Sequence, residues 1–137
     1  TIPLGVAEIK REGKDVTIVS FGKIIKEAYK AADELEKEGI SCEIIDLRTV
    51  KPMDSEAILK SVKKTNRLVV LEEAWPFGNV STEITYQVQE QAFDYLDAPI
   101  IKINTADTPA PFSPVLLAEW LPNSTDVIKA VKKVLYK

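Results

Sequence analysis

The chain has 137 residues, of which 45% are hydrophobic, and its 18 basic and 21 acidic side chains give a formal net charge of -3. This length and composition suit one globular domain with a packed core. They exclude a membrane-spanning helix, because the longest apolar runs are only a few residues long. No continuous basic stripe is present, so neither a nucleic acid nor a membrane is expected as a partner.

Two residue types that carry much of enzyme chemistry are scarce. The chain contains no histidine and a single cysteine, Cys42. Because histidine is the commonest general base near neutral pH, self-contained acid–base or acyl-transfer catalysis is not expected. A metal site is not expected either, since the potential ligands are carboxylates without an aspartate-rich calcium loop. Cys42 falls in a predicted buried strand and is interpreted as a core residue.

Strands and helices alternate along the sequence. Apolar and β-branched runs predict strands at 7–11, 16–20, around 44–45, at 67–71 and at 100–103. Apolar residues at helical spacing predict helices that begin near Ile24, at Asp54, at Asn79 or Ser81, and at Ser124 or Thr125. The glycine-bearing connection 12–15 suits a hairpin, which would pair the first two strands antiparallel. The proline-rich segment 105–122 is predicted to be an ordered crossing loop with one short helical turn near Leu116.

This order predicts the α/β fold class. Strands that alternate with helices form βαβ units, and such units build a mostly parallel sheet with both faces covered. Gly39 is placed to end the first helix in the left-handed conformation, and the sixteen residues from Gly39 to Asp54 therefore link one helix, one strand and the next helix.

Three positions at the predicted carboxyl ends of strands are candidates for chemistry or ligand binding. Glu72 and Glu73 are the best catalytic candidates, because paired carboxylates at this edge can have raised pKa values. The favoured interpretation is structural, with one carboxylate hydrated or anchoring the next loop through backbone amides. Gly22 suggests a small-anion site at a helix amino end, but a single glycine is more typical of a tight connection.

Other residues are candidates for contacts with a partner. Trp75 and Phe77 lie in an aromatic loop that can fill a pocket on a partner or cover the sheet edge of its own domain, and both alternatives stay open. Asp94 and Asp97 form a small acidic surface, which is an ordinary hydrated turn unless a basic partner binds it. Arg48 is expected to form an ion pair within the chain.

Several segments together resemble one family. They lie at 13–21, 38–54, 63–69 and 92–99, and the resemblance extends in register over essentially the whole chain. The chain resembles the carboxy-terminal domain of pyruvate dehydrogenase beta subunits, within the wider transketolase carboxy-terminal domain family. That resemblance implies a three-layer α/β/α fold with a five-stranded mixed, mostly parallel sheet whose first strand is antiparallel. It also implies a single domain over 1–137, an excerpt of a longer beta subunit.

The resemblance implies a parent enzyme that uses thiamine diphosphate and magnesium to decarboxylate pyruvate and to acetylate the lipoyl group of an acyltransferase. In such enzymes the cofactor lies outside this domain, so no catalytic, cofactor-binding or metal residue is assigned and the isolated domain is expected to be inactive. An assembly role is implied instead, with three partners: the alpha subunit, a second beta subunit in a heterotetramer, and the subunit-binding domain of the acyltransferase. The candidate partner-binding residues are Trp75, Phe77, Asp94, Asp97 and Lys137.

Two alternatives to this interpretation are open. The Trp75-Pro76 pair resembles pyruvate enzymes more than branched-chain 2-oxo acid dehydrogenases, but a domain of the latter or of another thiamine enzyme is one alternative. A regulatory module that binds a small anion at Gly22 is the other. The expected compartment is the bacterial cytoplasm, with the mitochondrial matrix as its alternative.

Overall fold

The predicted alternation of strands and helices is present in the structure, a computed structural model that describes residues 1–137. In chain order the elements are β1 (Glu8–Arg11), β2 (Val16–Ser20), α1 (Ile25–Lys37), β3 (Cys42–Asp46), α2 (Ser55–Thr65), β4 (Leu68–Leu71), α3 (Val80–Ala92), a 3-10 turn (Phe93–Tyr95), β5 (Ile101–Ile103), α4 (Pro114–Trp120) and α5 (Ser124–Val134). None of these helices is both long enough and apolar enough to cross a membrane.

The strands form one mixed sheet in the order β1-β3-β2-β4-β5. β1 is antiparallel to β3, and the other pairs are parallel. One face of the sheet packs against α1 and α5, and the other packs against α2 and α3. The central strand β2 is completely buried, because helices cover it on both sides. The three-layer fold with a five-stranded mixed sheet is therefore confirmed.

The predicted hairpin between the first two strands is wrong, because β1 pairs with β3 and not with β2. The connection 12–15 crosses the amino end of β3 instead of turning back. The Gly13 N–H donates to a Glu43 carboxylate oxygen at 3.2 Å, and the Asp15 N–H donates to the Ser41 carbonyl at 2.9 Å. A Cβ on Gly13 would lie 2.2 Å from the Cys42 carbonyl carbon, so only glycine fits this crossing. β1 and β2 therefore lie on opposite sides of β3.

Asparagine caps the helices at two places where the sequence left a choice. Asn79, rather than Ser81, accepts the first-turn amide of α3. α5 begins at Ser124, the first of the two positions predicted for its start, and Asn123 caps it. The Asn123 side chain accepts from the Asp126 N–H at 3.1 Å, and the Asp126 carboxylate accepts from the Asn123 N–H at 3.0 Å. This reciprocal capping box satisfies two amides that a serine one residue later would leave unpaired.

The proline-rich segment contains more helix than the single turn predicted near Leu116, because α4 runs for seven residues from Pro114 to Trp120. Pro114 occupies the first helical position, where the missing N–H would be unpaired in any helix. At the end of α4, the Trp120 carbonyl accepts from the Ala106 N–H at 3.0 Å, which closes the segment onto the chain that leaves β5.

Two predictions about single residues are confirmed. Cys42 is buried in β3, and this burial raises the pKa of its thiol to about 12. The Arg48 guanidinium forms an ion pair with the Glu8 carboxylate within the chain. Hydrogen bonds from Lys10 and Arg48 lower the pKa of Glu8. Both residues therefore serve the fold of this domain.

Candidate functional site

The candidate partner-binding residues lie at two opposite ends of the sheet. Trp75 and Phe77 belong to the loop that leaves the carboxyl end of β4. Asp94, Asp97 and Lys137 lie at the amino end, where α3 and α5 finish. The structure therefore separates the predicted residues into two surfaces.

At the carboxyl end, two loops are joined into one unit. The indole N–H groups of Trp75 and Trp120 both donate to the Thr108 carbonyl, at 2.8 and 2.9 Å. The Thr105 N–H donates to the Ala74 carbonyl at 3.0 Å. Trp75 is thus partly committed to its own domain, which is one of the two alternatives that the sequence left open. Phe77 is 91% exposed and is available for the other alternative, a pocket on a partner.

Five large apolar side chains in these loops and in α4 are exposed. They are Trp75, Phe77, Phe112, Val115 and Leu116, and we call this set the carboxyl-end patch. A hollow of about 320 Å³ opens beside Leu116 and Trp120. The sequence analysis missed Phe112, Val115 and Leu116, although three apolar residues within a proline-rich segment were a usable signal. Large exposed apolar groups of this kind mark interaction surfaces.

Glu72 and Glu73, the best catalytic candidates, have different environments. The Glu72 carboxylate is fully buried, whereas Glu73 is exposed. One Glu72 oxygen accepts from the Ser81 N–H at 2.9 Å, and the other accepts from the Asn104 amide at 3.3 Å. Burial raises the pKa of Glu72 despite these bonds. The favoured structural interpretation is confirmed, since Glu72 anchors the start of α3 through a backbone amide.

Two substitutions of Glu72 are expected to distinguish the contribution of its hydrogen bonds to stability from the contribution of its charge. Glu72→Ala should lower the free energy of unfolding by about 2–3 kcal/mol, because it leaves the buried Ser81 N–H without an acceptor. Glu72→Gln retains an acceptor and should cost less than about 1 kcal/mol. A raised folded-state pKa means that the folded protein binds more protons, so wild-type stability relative to Glu72→Gln should fall as pH rises above the unfolded carboxyl pKa. Urea denaturation at several pH values measures both effects, and a pH-independent difference would contradict the second.

The backbone around Gly22 does not suit an anion. Gly22 has a φ of +71° and forms the turn before α1. The first amides that an anion would need are used locally, because Ile25 N–H donates to the Gly22 carbonyl and Glu27 N–H donates to the Ile24 carbonyl. The acidic Glu27 in the first turn adds a like charge. The turn is therefore a tight connection, which was the favoured interpretation of this glycine.

At the amino end, the acidic surface is partly neutralised from within the chain. The Asp97 carboxylate lies 3.7 Å from the Arg67 guanidinium, and the Asp97 carbonyl accepts from the Tyr136 hydroxyl at 3.2 Å. Asp94 and Lys137 are exposed. This surface therefore offers carboxylates with one nearby guanidinium and a terminal lysine.

A buried polar network, which the sequence analysis missed, lies between the sheet and α2. It consists of Thr17, Glu43, Ser61, Lys64 and Thr65. The Glu43 carboxylate is only 1% exposed and accepts from the Ser61 hydroxyl at 2.6 Å. Burial by itself would raise the pKa of Glu43, but hydrogen bonds from Lys64, Ser61 and Gly13 lower it. Hydroxyl residues at inward positions of a strand and a helix were the available signal.

The donor set of this chain does not fit a magnesium ion bound to a diphosphate. Such an ion takes carboxylate oxygens that converge on one point. No three Asp, Glu, His or Cys side chains come together in the structure. The buried carboxylates Glu43 and Glu72 are already paired with donors of this chain.

Residues 5–127 match the profile of the transketolase C-terminal domain family. The chain belongs to this family. The fold agrees with it, since the split-gene transketolase solved as an inactive β4 tetramer superposes with a TM-score of 0.85. The two sequences are 31% identical, and the match covers 98% of this chain and 43% of the transketolase chain. A 2-oxoglutarate:ferredoxin oxidoreductase from Magnetococcus marinus shares the fold alone, with a TM-score of 0.57 and 15% identity. The match covers 95% of this chain and 19% of the oxidoreductase chain.

Relatives of this transketolase C-terminal domain include beta subunits of pyruvate dehydrogenases. The E1 component subunit beta of Rhizobium meliloti is 54% identical over 99% of this chain and 30% of its own length. That of Rickettsia felis is 53% identical over 98% of this chain and 41% of its length. The mitochondrial subunit of Dictyostelium discoideum is 47% identical over 97% of this chain and 37% of its length. The chain therefore spans less than half the length of these relatives.

Proposed function

We propose that this transketolase C-terminal domain is a single domain, 1–137, of the beta subunit of a pyruvate dehydrogenase, and that it serves there in assembly. The observation that carries the proposal is the identity of 47–54%, over nearly the whole chain, with subunits of that name. Since these relatives are pyruvate enzymes, the comparison favours pyruvate over a branched-chain 2-oxo acid as the substrate.

The parent enzyme is then an oxidoreductase that decarboxylates pyruvate and acetylates a lipoyl group. Thiamine diphosphate with magnesium supplies that chemistry when bound to the parent. We propose that other parts of the enzyme hold this group. The residues of this domain stabilise its own fold and present surfaces to other subunits.

The carboxyl-end patch is the proposed surface for the alpha subunit and the second beta subunit. Phe77 and Phe112 are its anchors, since both are almost fully exposed on a base that hydrogen bonds hold in place. Aromatic side chains that enter a partner's pocket carry much of the energy of an interface. The similar split-gene transketolase was solved as a multi-subunit assembly, which supports a role in association for this fold.

The amino-end surface is the proposed docking site for the subunit-binding domain of the acyltransferase. Asp94 and Asp97 suit basic groups on that partner, and the exposed Lys137 lies at the same end of the sheet. The contact is expected to be sensitive to salt, because it would join exposed charges. The Arg67 guanidinium offsets part of the negative charge of this surface.

Assembly of the complete beta subunit with its alpha subunit tests the proposal. Phe77→Asp with Phe112→Asp should weaken association at least tenfold in sedimentation velocity, because burial of a charge replaces burial of two rings. Tyr86→Asp, at an exposed aromatic residue of α3 outside the patch, is the matched control. Equal association of both variants would contradict the proposed surface, and failure of the unaltered beta subunit to assemble would contradict the proposed function.

The assembled beta and alpha subunits can also be used to test the amino-end surface. Asp94→Asn with Asp97→Asn should reduce recovery of the acyltransferase on an affinity column while recovery of the alpha subunit is unchanged. Glu56→Gln with Glu90→Gln removes the same charge from other exposed positions. Unchanged recovery of the acyltransferase by the aspartate variant would contradict docking at the amino end.

We propose the bacterial cytoplasm as the compartment. The two bacterial relatives are 54% and 53% identical to the chain, against 47% for the mitochondrial one. Cell fractionation with an antibody to the chain would test this.

A further inference from the structure

β5 is an edge strand whose outer side has no neighbouring strand. On its inner side it pairs with β4, and the Ile103 carbonyl accepts from the Glu72 N–H at 3.1 Å. Alternate residues of a parallel strand bond to the same neighbour, so Ile101 and Ile103 face β4. Lys102 therefore turns its backbone N–H and C=O to the open side, as do the flanking residues Ile100 and Asn104.

A groove follows this open side between β5 and α5. One hollow of about 490 Å³ lies at its carboxyl end, between β5, the residues 119–122 and α5. A second hollow of about 370 Å³ lies at its amino end. The two hollows share Ile101 and Lys133, so they form one continuous groove along the edge. An extended segment of about four to five residues matches its length, at about 3.3 Å per residue.

Lysines flank the groove on both faces of the sheet. On the α5 side, Lys129 and Lys133 are exposed and form no ion pair within the chain, whereas Lys132 pairs with Glu38. Lys129 and Lys133 are one helical turn apart, about 6 Å along the axis, which is close to the spacing of about 6.6 Å between alternate residues of a strand. On the α3 side, the Lys102 ammonium donates to the Pro76 carbonyl at 2.8 Å.

The acidic groups near the groove do not neutralise these lysines. The Asp126 carboxylate accepts from the Asn123 N–H as part of the α5 cap. Glu119 and Asp126 line the hollow at the carboxyl end of the groove together with Lys129 and Lys133, but neither carboxylate forms an ion pair with these lysines. At the amino end, Lys133 is the only charged residue that lines the groove, so this part of the groove is basic.

We propose that an extended segment of a partner protein, with acidic side chains at alternate positions, binds to β5 as a sixth strand of the sheet. Its backbone pairs with Lys102 and the flanking residues, and its carboxylates on one face meet Lys129 and Lys133. A second copy of this chain is disfavoured as the occupant. Antiparallel pairing of two β5 strands about Lys102 would place two lysines directly opposite each other, and like charges in that position are destabilising.

The test uses a fluorescent synthetic peptide of about eight residues in which glutamate alternates with valine, a length that covers the groove with overhang. Fluorescence anisotropy with the unaltered protein should show saturable binding that weakens with salt. Lys129→Glu with Lys133→Glu should weaken binding about fivefold to tenfold. Lys26→Glu with Lys60→Glu makes the same change of charge at exposed positions on α1 and α2, and should weaken it less than twofold.

A further variant tests the backbone contact. Lys102→Pro removes the outward N–H without removing a bond to β4, and proline is tolerated on edge strands. It should abolish peptide binding while the circular dichroism spectrum is retained, and Lys102→Ala should bind more tightly than Lys102→Pro. Equal binding by the two lysine-pair variants, or equal binding by Lys102→Pro and Lys102→Ala, would overturn the proposal. Dimerisation of the unaltered protein that Lys102→Pro abolishes in sedimentation would overturn it in favour of a second copy.

Discussion

Gly13→Ala is expected to lower the free energy of unfolding by about 3 kcal/mol or more, or to prevent folding. The new Cβ would lie 2.2 Å from both the Cys42 carbonyl carbon and the Glu43 amide nitrogen. Both obstacles are backbone atoms of β3, so they cannot rotate away as a side chain would. The crossing that places β1 beside β3 would have to shift, and the Gly13 hydrogen bond to Glu43 would be lost with it. Thermal and urea denaturation followed by circular dichroism measure the loss.

Gly22→Ala is the matched control for this substitution. Gly22 has a left-handed φ of +71°, unlike Gly13, but nothing lies within 4 Å of a Cβ built there. Its replacement should cost about 1 kcal/mol from backbone strain alone. Equal losses for the two variants would show that the close approach at Gly13 is not what stabilises the crossing.

Lys64→Met is expected to lower the free energy of unfolding by about 2 kcal/mol at neutral pH. The substitution leaves the buried Glu43 carboxylate without its cationic partner, and an unpaired buried charge is strongly destabilising. Lys64 is 43% exposed, so water screens its part of the interaction and the estimate stays below that for a fully buried pair. Glu43 itself retains the Ser61 hydroxyl as a donor.

The pH dependence distinguishes this cause from loss of packing. In the unaltered protein the pKa of Glu43 is lowered, so its contribution to stability is present above the unfolded carboxyl pKa and is lost as pH falls. Without Lys64, burial favours the protonated form, and the deficit of the variant should shrink as the solution is made acidic. Lys60→Met, at an exposed residue of the same helix, is the control and should change stability by less than about 0.5 kcal/mol. A deficit that is constant between pH 7 and pH 4 would contradict the electrostatic explanation.

Local signals predicted most of the elements, because their cause lies in a few neighbouring residues. Gly39 has a φ of +79° at the end of α1, as its position after the helical pattern indicates. Asp54 accepts from the Ala57 N–H at 3.1 Å, as a helix cap does. The start of α5 at Ser124 was predicted, but its cap Asn123 was not named, since asparagine and serine are both good caps and only the reciprocal bond with Asp126 favours Asn123.

The candidate sites were predicted less completely than the fold. Asp94 is exposed, as its assignment to an acidic surface requires, and Phe77 is exposed, which is one of the two alternatives that the sequence left open. Their separation to opposite ends of the sheet follows from the strand order. Phe112 was missed because the proline-rich segment carries no periodic pattern that indicates which side chains face the solvent. Glu43 was missed because its partners Ser61 and Lys64 are distant in the sequence and meet only when α2 packs on the sheet.

By itself, the sequence determined the α/β class and the covered parallel sheet, because apolar periodicity and capping are local properties of the chain. The family was indicated separately, by the resemblance of several segments to known proteins. Only the tertiary structure decided that β1 lies beside β3, that the buried Glu43 pairs with the partly exposed Lys64, and that β5 has an open edge flanked by lysines. These features depend on contacts between residues far apart along the chain. The crossing at Gly13 illustrates the reason, since a glycine in a short connection suits a hairpin equally well until β3 is in place beneath it.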